Sequence, residues 1–342
     1  MSVLDKLAPV RSMREARHPR SRSAATLATL ALIGAIALAP LFASEAALND
    51  LSQAILLGLF AIGFNIVFKY SGLLSFGHAA FFGFAAYAEA WLLKSSPSVP
   101  VPILVLAAAL ATAGLGLAMG HLCVRRSGAY FSMTTLAIAA FFSTIAFKWQ
   151  AVTGGTDGLS GFMPTTLVLL PGWTLANPSI AQLYLLSVAL LIPAALAAWA
   201  MLELTPFGNA VQLTRQNEER AAFLGYDTYR LKLANYGLAA FIAGIAGALW
   251  AIVNGLVSTD SIDLTLSTTV IIMAFIGGTS WFWGPLLGST VYIFGSDRLS
   301  ALTQHWQLWM GLAFIGLVLV FPGGIAGLAG ALYARVIGRR DD

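Results

Sequence analysis

The amino-acid sequence predicts an all-α, polytopic integral membrane protein with about ten transmembrane helices, within a range of eight to ten. Of the 342 residues, 58% are hydrophobic and only 10% are charged, which leaves too little polar surface for a water-soluble protein of this size. The mean hydropathy is +0.80. Apolar windows of about 20 residues, long enough to cross a bilayer as a helix, recur along the chain.

Ten apolar windows define the predicted helices in chain order. They cover residues 24–43, 51–68, 78–93, 101–122, 129–147, 180–202, 233–253, 264–278, 285–299 and 307–332. The segment FIGGTSWFWGP separates the eighth window from the ninth, and either half is compatible with a re-entrant segment as well as with a full span. The first window exceeds the usual signal-peptide core of about 7–15 residues, so we expect an uncleaved helix.

Basic residues predict the orientation, because Lys and Arg collect on the cytoplasmic side of a membrane. With the N-terminus inside, 16 of the 19 Lys and Arg residues fall on that side. We therefore expect a basic cytoplasmic arm at 1–23, a transmembrane domain at 24–334 and a cytoplasmic tail at 335–342, with both termini cytoplasmic. The net charge of +4 follows this topology, so no nucleic-acid partner is expected, whereas the arm is expected to touch anionic lipid.

Catalytic motifs are missing from the sequence. It contains no HExxH, no GxSxG and no metal-spaced Cys and His cluster, and its single cysteine, Cys123, excludes a disulfide framework. It also lacks GxxxxGK[ST], so any ATP and Mg²⁺ that power the protein are expected in a partner chain. We expect no catalytic residue, no metal site and no cofactor in this chain.

Charged residues are scarce within the predicted helices. Glu89 is the main exception, and its place near the outer end of a helix suggests a carboxylate that reaches the lipid headgroups rather than a proton relay. This scarcity disfavours an ion-coupled secondary transporter and indicates an external source of energy.

A polar segment at 203–230 interrupts the apolar windows and carries Arg215, Glu218, Glu219 and Arg220. We predict one amphipathic helix at 208–224, with Pro206 suited to its start and Gly225 to its end. The small residues Ala221 and Ala222 would let this helix approach a soluble partner closely. The alternative is a solvated connection whose helix packs on its own membrane domain.

Two further groups are candidates for substrate handling. Small polar residues in or beside a predicted helix break at 71–78 suit a path for a zwitterion: Asn65, Ser75, His78, Thr134 and Thr135. The glycine-rich sequence TGGTDGL permits tight positive-φ turns in an external loop and either reverses the chain or receives a substrate-delivering protein. Its candidate residues are Thr153, Gly154, Gly155 and Gly158.

Seven segments in order resemble one known family, the LivM-type membrane permease subunits of bacterial ATP-binding-cassette importers for branched-chain and other hydrophobic amino acids. They are GLLSFGHAAFFGFAAY, SGAYFSMTTLA, TGGTDGL, TPFGNA, NEERAAFLGYDTYRLKL, GGTSWFWGPLLG and FPGGIAGL, and they extend from about residue 51 to 330. The coupling pattern E-A-A-x-x-x-G of such importers matches at Glu219, Ala221 and Gly225, with Arg220 replacing the first Ala.

The resemblance implies a permease that forms half of a translocation path in the bacterial inner membrane. Its expected partners are a second, related permease subunit, two cytoplasmic ATPase subunits that bind ATP and Mg²⁺, and a periplasmic substrate-binding protein. Coupling to the ATPase is expected at Pro206, Phe207, Gly208, Arg215, Asn217, Glu219, Arg220, Ala221, Ala222 and Gly225. Permeases for urea or short amides, an ion-coupled secondary transporter and a channel-like facilitator stay open as alternatives.

Overall fold

A computed structural model describes residues 40, 44–126, 128–170, 172–320, 323–325 and 327. The described residues from Glu45 onward belong to one compact unit. The predicted arm at 1–23, the tail at 335–342 and, apart from residue 40, the first apolar window lie outside the described residues.

Helices dominate the described part of this unit. Their bounds are α1 Glu45–Asn65, α2 His78–Ser95, α3 Val101–Cys123, α4 Ala129–Lys148, α5 Gln150–Thr153, α6 Ile180–Glu203, α7 Pro206–Gln216, α8 Glu218–Phe223, α9 Thr228–Asn254, α10 Leu264–Gly277, α11 Gly284–Leu302 and α12 Trp306–Val320. A π-helix, Ile66–Ser71, continues α1, and 3₁₀ turns cover Gly155–Asp157 and Thr259–Ile262.

Short strands join the loops at one end of the helices. Strand β1 (Leu159–Ser160) pairs antiparallel with β4 (Leu256–Val257), and β2 (Thr166–Leu170) pairs antiparallel with β3 (Trp173–Ala176). The β1–β4 pair ties the loop after α5 to the loop after α9.

Each of the nine apolar windows from 51 onward overlaps a described helix, so the all-α, polytopic prediction is confirmed. Within the described residues, five helices are long and apolar enough to cross a membrane: Glu45–Ser71, Val101–Cys123, Ala129–Lys148, Ile180–Glu203 and Thr228–Asn254. The eighth and ninth windows form two separate helices, α10 and α11, joined through Gly278–Trp283.

Two helices, α1 and α9, form the centre of the fold. Helix α9 packs against α1, α2, α3 and α6, while α1 also packs against α11. Glycines allow the close approaches: a Cβ at Gly116 of α3 would lie 2.3 Å from Ala240 Cβ of α9, and one at Gly288 of α11 would lie 1.8 Å from the Met273 carbonyl oxygen of α10. Gly116 and Gly288 each belong to a GxxxG pair, Gly116–Gly120 and Gly284–Gly288, a pattern that lets two helices pack closely.

The helix ends form two unlike surfaces. We call the polar end the one formed by the π-helix, the end of α6, α7, α8 and the start of α9, and the hairpin end the opposite one, with the four strands. Seven of the ten described Lys and Arg residues lie at the polar end: Lys69, Arg125, Arg126, Arg215, Arg220, Arg230 and Lys232. The predicted charge asymmetry is therefore visible among the described residues.

Glu89 corrects one expectation from the sequence. Its side chain is fully buried in α2, and neither carboxylate oxygen has a hydrogen-bond partner among the described residues. It does not reach toward lipid headgroups, because α2 is covered on this side by other helices of the bundle. The sequence places Glu89 near one end of its helix. It does not show which face of that helix the neighbouring helices cover.

Candidate functional site

The polar segment between α6 and α9 forms two helices rather than the single helix predicted at 208–224. The break is at Asn217, whose backbone is extended (φ −160°, ψ 105°) and whose side-chain oxygen accepts a hydrogen bond from the Arg220 N–H at 2.8 Å. Asn217 therefore ends α7 and caps the start of α8. Pro206 is the first residue of α7, and Gly225 follows α8 with φ +88°, as the sequence predicts.

One face of α7 is fastened to the membrane domain. Ala210, Val211 and Thr214 are buried, and a Cβ on Gly208 would lie 1.7 Å from the Leu202 carbonyl oxygen of α6. Only glycine fits such a close approach of two backbones. Phe207 is half-buried beside this face. The sequence left open that this helix packs on the protein's own membrane domain. The buried face of α7 does so.

Helix α8 and the turn after it present a mixed polar and apolar surface. Glu219, Arg220 and Ala222 are exposed. Beside them, Phe223 is 91% exposed and Leu224 is 66% exposed. Exposed apolar side chains grouped among charged ones are typical of a protein-binding surface.

Ala221 lies on the opposite side of α8 and is only 2% exposed. Of the two alanines expected to approach a partner, the structure leaves Ala222 accessible and turns Ala221 toward the chain itself. Sequence reasoning did not include Phe223 or the 42% exposed Tyr226. The sequence could have indicated both residues, since aromatic side chains are unusual in a solvated connection between helices.

The start of α9 is tied to its surroundings by several contacts. Lys232 pairs with Glu218 of α8 at 2.5 Å. The Asp227 side chain caps α9 by accepting from the Arg230 N–H at 3.0 Å. Tyr229 Oη lies 2.6 Å from Nδ1 of His121 in α3. Helix α8 is therefore joined to α9 by the Lys232–Glu218 pair, and α9 is joined to α3 by the Tyr229–His121 contact.

An extended break at 72–77 separates the π-helix from α2, as the sequence predicts. Side chains of other helices satisfy its backbone: the Ser132 hydroxyl donates to the Leu74 carbonyl at 2.7 Å, and the Phe76 N–H donates to Thr135 Oγ1 at 3.2 Å. At the first turn of α2, the Ala79 N–H donates to Ser267 Oγ at 3.0 Å. These N–H groups are thus already occupied in this arrangement.

The structure brings together only some of the predicted path residues. Ser75, His78 and Thr135 lie at the break, and the Ser75 hydroxyl and both His78 ring nitrogens have no hydrogen-bond partner among the described residues. The Asn65 amide donates to the Trp281 carbonyl at 3.3 Å, on another side of α1. Thr134 donates within its own helix, to Tyr130.

His78 is enclosed by aromatic rings. Its ring stacks on Phe60 with centroids 5.5 Å apart, and it meets Phe64 and Phe81 edge to face at 6.1 and 5.4 Å. The ring is fully buried. At the start of α2, the imidazole of His78 is therefore a polar ring packed among aromatic side chains.

The predicted external loop lies at the hairpin end. Gly154, Gly155 and Gly158 have φ of +75°, +61° and +71°, which confirms the predicted positive-φ turns. A Cβ on Gly154 would lie 1.9 Å from the Gly158 carbonyl oxygen. The Thr153 hydroxyl donates to the Ala146 carbonyl at 2.5 Å and accepts from the Gly155 N–H at 3.2 Å. The loop is thus a tightly built turn at the end of α4.

Cavities open at both ends. One of about 340 Å³ at the polar end is lined by Phe68, Lys69, Gln212, Arg215, Gln216, Thr279 and Ser280. Another of about 340 Å³ at the hairpin end is lined by Phe82, Trp250, Asn254, Leu256, Ser258, Asp260, Ser261 and Leu266. Nearby, the Thr265 hydroxyl donates to Asp263 at 2.7 Å and holds the pKa of that carboxyl below its usual value.

Long apolar helices, with a polar helix pair at one end of the bundle and a helix break inside it, define the class: a multi-pass membrane protein. Residues 46–322 match the family described as "Branched-chain amino acid transport system / permease component". The chain therefore belongs to this family of permease components.

Two relatives are high-affinity branched-chain amino acid transport system permease proteins LivM. The chain is 25% identical to the one from Salmonella typhimurium and 26% identical to the one from Escherichia coli K12, over 304 residues in each case. Each match covers 84% of this chain and 71% of the relative. No solved structure matches the chain.

Proposed function

We propose that this chain is a permease subunit of an ATP-binding-cassette importer and forms half of a translocation path for branched-chain or other hydrophobic amino acids. It lies in the bacterial inner membrane with its polar end in the cytoplasm. The family match and the names of the two relatives support the substrate class. The excess of basic residues at the polar end supports the orientation.

The observation that carries this proposal is the arrangement of α7 and α8. Helix α7 is seated on the membrane domain through Gly208, Ala210 and Val211, whereas α8 exposes Glu219, Arg220 and Phe223. A connection that binds no partner does not need one helix packed on the membrane domain and a second helix exposed. A helix pair with one face fixed and one face exposed suits transmission of force from a soluble motor.

ATP and Mg²⁺ belong to two separate ATPase subunits that dock at the polar end. Their closure presses on α8, and the capped junction at Asn217 passes the displacement to α7. Helices α6 and α9 then shift relative to α1, which exchanges access to the path between the two membrane faces. A second, related permease completes the path, and a periplasmic binding protein delivers the substrate at the hairpin end.

Within the chain, the break at 72–77 borders the proposed path. Ser75 and His78 supply polar groups there, and the rings around His78 suit an apolar substrate side chain. Selection of the substrate is assigned to the binding protein. The polar residues of the path need only offer weak, transient contacts.

Purification in mild detergent, followed by reconstitution in proteoliposomes, tests the proposal. We expect a nucleotide-binding subunit to co-purify and labelled leucine to enter the vesicles only when ATP and a binding protein are supplied. Uptake by the isolated chain, or uptake driven by a proton or sodium gradient without ATP, would contradict the proposal. Uptake of urea in place of leucine would change the substrate class and retain the mechanism.

A further inference from the structure

The π-helix Ile66–Ser71 is an unusual ending for α1. A π-helix is wider than an α-helix and is rare beyond a single turn, so a six-residue example needs support from outside the helix. Asn235 of α9 provides part of it, since its side-chain amide donates to the Ile66 carbonyl at 3.0 Å and to Ser71 Oγ at 2.8 Å. The π-helix ends at Gly72, which has φ +70°.

Glu203 holds the π-helix from the α6 side. Its carboxylate accepts from Lys69 Nζ at 2.8 Å and from the Tyr70 hydroxyl at 2.5 Å. Glu203 is the last residue of α6, and α7 begins three positions later at Pro206. Glu203 thus holds the π-helix just before the chain enters α7 and α8, the helix pair that we call the coupling element.

Arg215 holds the same turn from the last turn of α7. Its guanidinium donates to the Lys69 carbonyl, and its stem lies against Gly72, where an added Cβ would be 3.1 Å from Arg215 Cγ. Arg215 is exposed, but its guanidinium contacts the π-helix of the membrane domain. Lys69 is held at its side chain by Glu203 and at its carbonyl by Arg215.

Buried polar groups next to the π-helix are left unsatisfied. The Asn235 side-chain oxygen and the Ser75 hydroxyl have no hydrogen-bond partner among the described residues, although both side chains are fully buried. Such groups are rare in folded proteins because each costs free energy. The π-helix and the break at 72–77 are therefore costly to hold in this arrangement.

We infer that Glu203 and Arg215 are positioning residues that transmit movement of α7 to the π-helix and thereby to the break at 72–77. This inference rests on the proposed function and adds the route by which force reaches the path. Conversion of a π-turn to an α-turn shifts the following residues by about one position, or ~1.5 Å along the axis. The shift alters the position of Ser75 and His78.

The test uses the complete complex in proteoliposomes, with amino acid imported per ATP hydrolysed as the first measurement. Arg215→Gln removes the guanidinium and shortens the side chain, Glu203→Gln removes the charge that pairs with Lys69 at nearly constant size, and Arg215→Lys keeps a donor for the Lys69 carbonyl. Arg126→Gln, an exposed site at the same end, is the matched control. We expect both Gln variants to lower the import ratio at least about fivefold, Arg215→Lys to recover part of it and the control to match the wild type.

Hydrogen exchange of the peptide covering 66–77 is the second measurement, in the nucleotide-free complex and after trapping with ATP and vanadate. In the wild type we expect exchange to differ between the two states, and in Arg215→Gln we expect that difference to disappear. This readout separates a relay from a merely structural contact, which would weaken both states equally. Because hydrogen exchange is measured on the purified, assembled complex, it also shows whether a variant has folded.

The outcomes distinguish the two levels of the proposal. If the wild-type complex shows no ATP-dependent import, the proposed function fails and the relay fails with it. If the wild type imports normally and Arg215→Gln keeps both its import ratio and its state-dependent exchange, the relay alone is wrong.

Discussion

Gly208 illustrates how a single residue fixes the entry to the coupling element. A Cβ at this position would meet the Leu202 carbonyl oxygen at 1.7 Å, and a backbone atom cannot move away as a flexible side chain does. We expect Gly208→Ala to destabilise the protein by more than about 3 kcal/mol and to reduce its amount in the membrane. Thermal unfolding in detergent measures this, with the exposed neighbour Asn209→Ala as the control. Equal stability of the two variants would mean that the two backbones do not approach each other so closely.

At Glu89, in contrast to Gly208, we expect a substitution to be tolerated. A buried carboxylate without a partner costs free energy, so the neutral and similar side chain of Gln suits the site at least as well. We expect Glu89→Gln to keep thermal stability and ATP-driven uptake within about twofold of the wild type. Uptake assays with and without a proton gradient check this. Loss of uptake in Glu89→Gln would instead assign Glu89 a role in proton movement.

At the residue scale, the sequence predicted the positions that depend on local backbone chemistry. Pro206 and Gly225 bound the coupling element, and Gly154 adopts a positive φ, because each of these roles depends on a few neighbouring residues. The burial of Glu89 and the contact of Arg215 with the π-helix were not predicted. Both depend on helices far away in the chain, which a single sequence does not place.

At the scale of elements, the junction between α7 and α8 depends on one side chain. Asn217→Ala removes the cap from the Arg220 N–H, and we expect a loss of about 1 kcal/mol in the free energy of unfolding together with weaker coupling of ATP hydrolysis to uptake. Asn217→Asp keeps an acceptor and is expected to retain coupling. The measurement is uptake per ATP hydrolysed in the two variants. An equal loss of this ratio in Asn217→Ala and Asn217→Asp would contradict the capping role.

The α10–α11 pair depends on close packing of backbones. We expect Gly288→Val to prevent this packing and to abolish the folded protein, because a Cβ there meets the Met273 carbonyl oxygen at 1.8 Å. Gly311→Ala in α12 is the matched control, since a Cβ added there has no neighbour within 4 Å. Size-exclusion profiles in detergent should show aggregate for the first variant and a normal peak for the second.

Helix existence was easier to predict than helix detail. Apolar length located nine of the twelve described α-helices, because a bilayer requires about 20 apolar residues of any kind. The π-helix after α1 and the β2–β3 pair were not predicted. The π-helix depends on Asn235, Glu203 and Arg215, which lie more than a hundred residues away, and the β2–β3 pair falls in a loop with little periodicity.

At the scale of the whole molecule, the proposed function assigns force from the ATPase subunits to the polar end and substrate delivery to the hairpin end. The polar end combines basic residues, a seated helix and an exposed one, whereas the hairpin end combines tight turns and short strands. The break at 72–77 lies between these ends. Such a division is what a permease needs when the motor and the substrate receptor are separate proteins on opposite faces of the membrane.

Photo-crosslinking from position 223 in intact cells tests the central claim most directly. Phe223 is 91% exposed, so a photoreactive phenylalanine derivative fits there without disturbing the fold, and the same derivative at the 61% exposed Trp173 serves as the control at the hairpin end. We expect a light-dependent adduct between position 223 and a nucleotide-binding subunit, and no such adduct from position 173. An adduct of position 223 with a periplasmic protein, or an ATPase adduct from position 173 alone, would contradict the account.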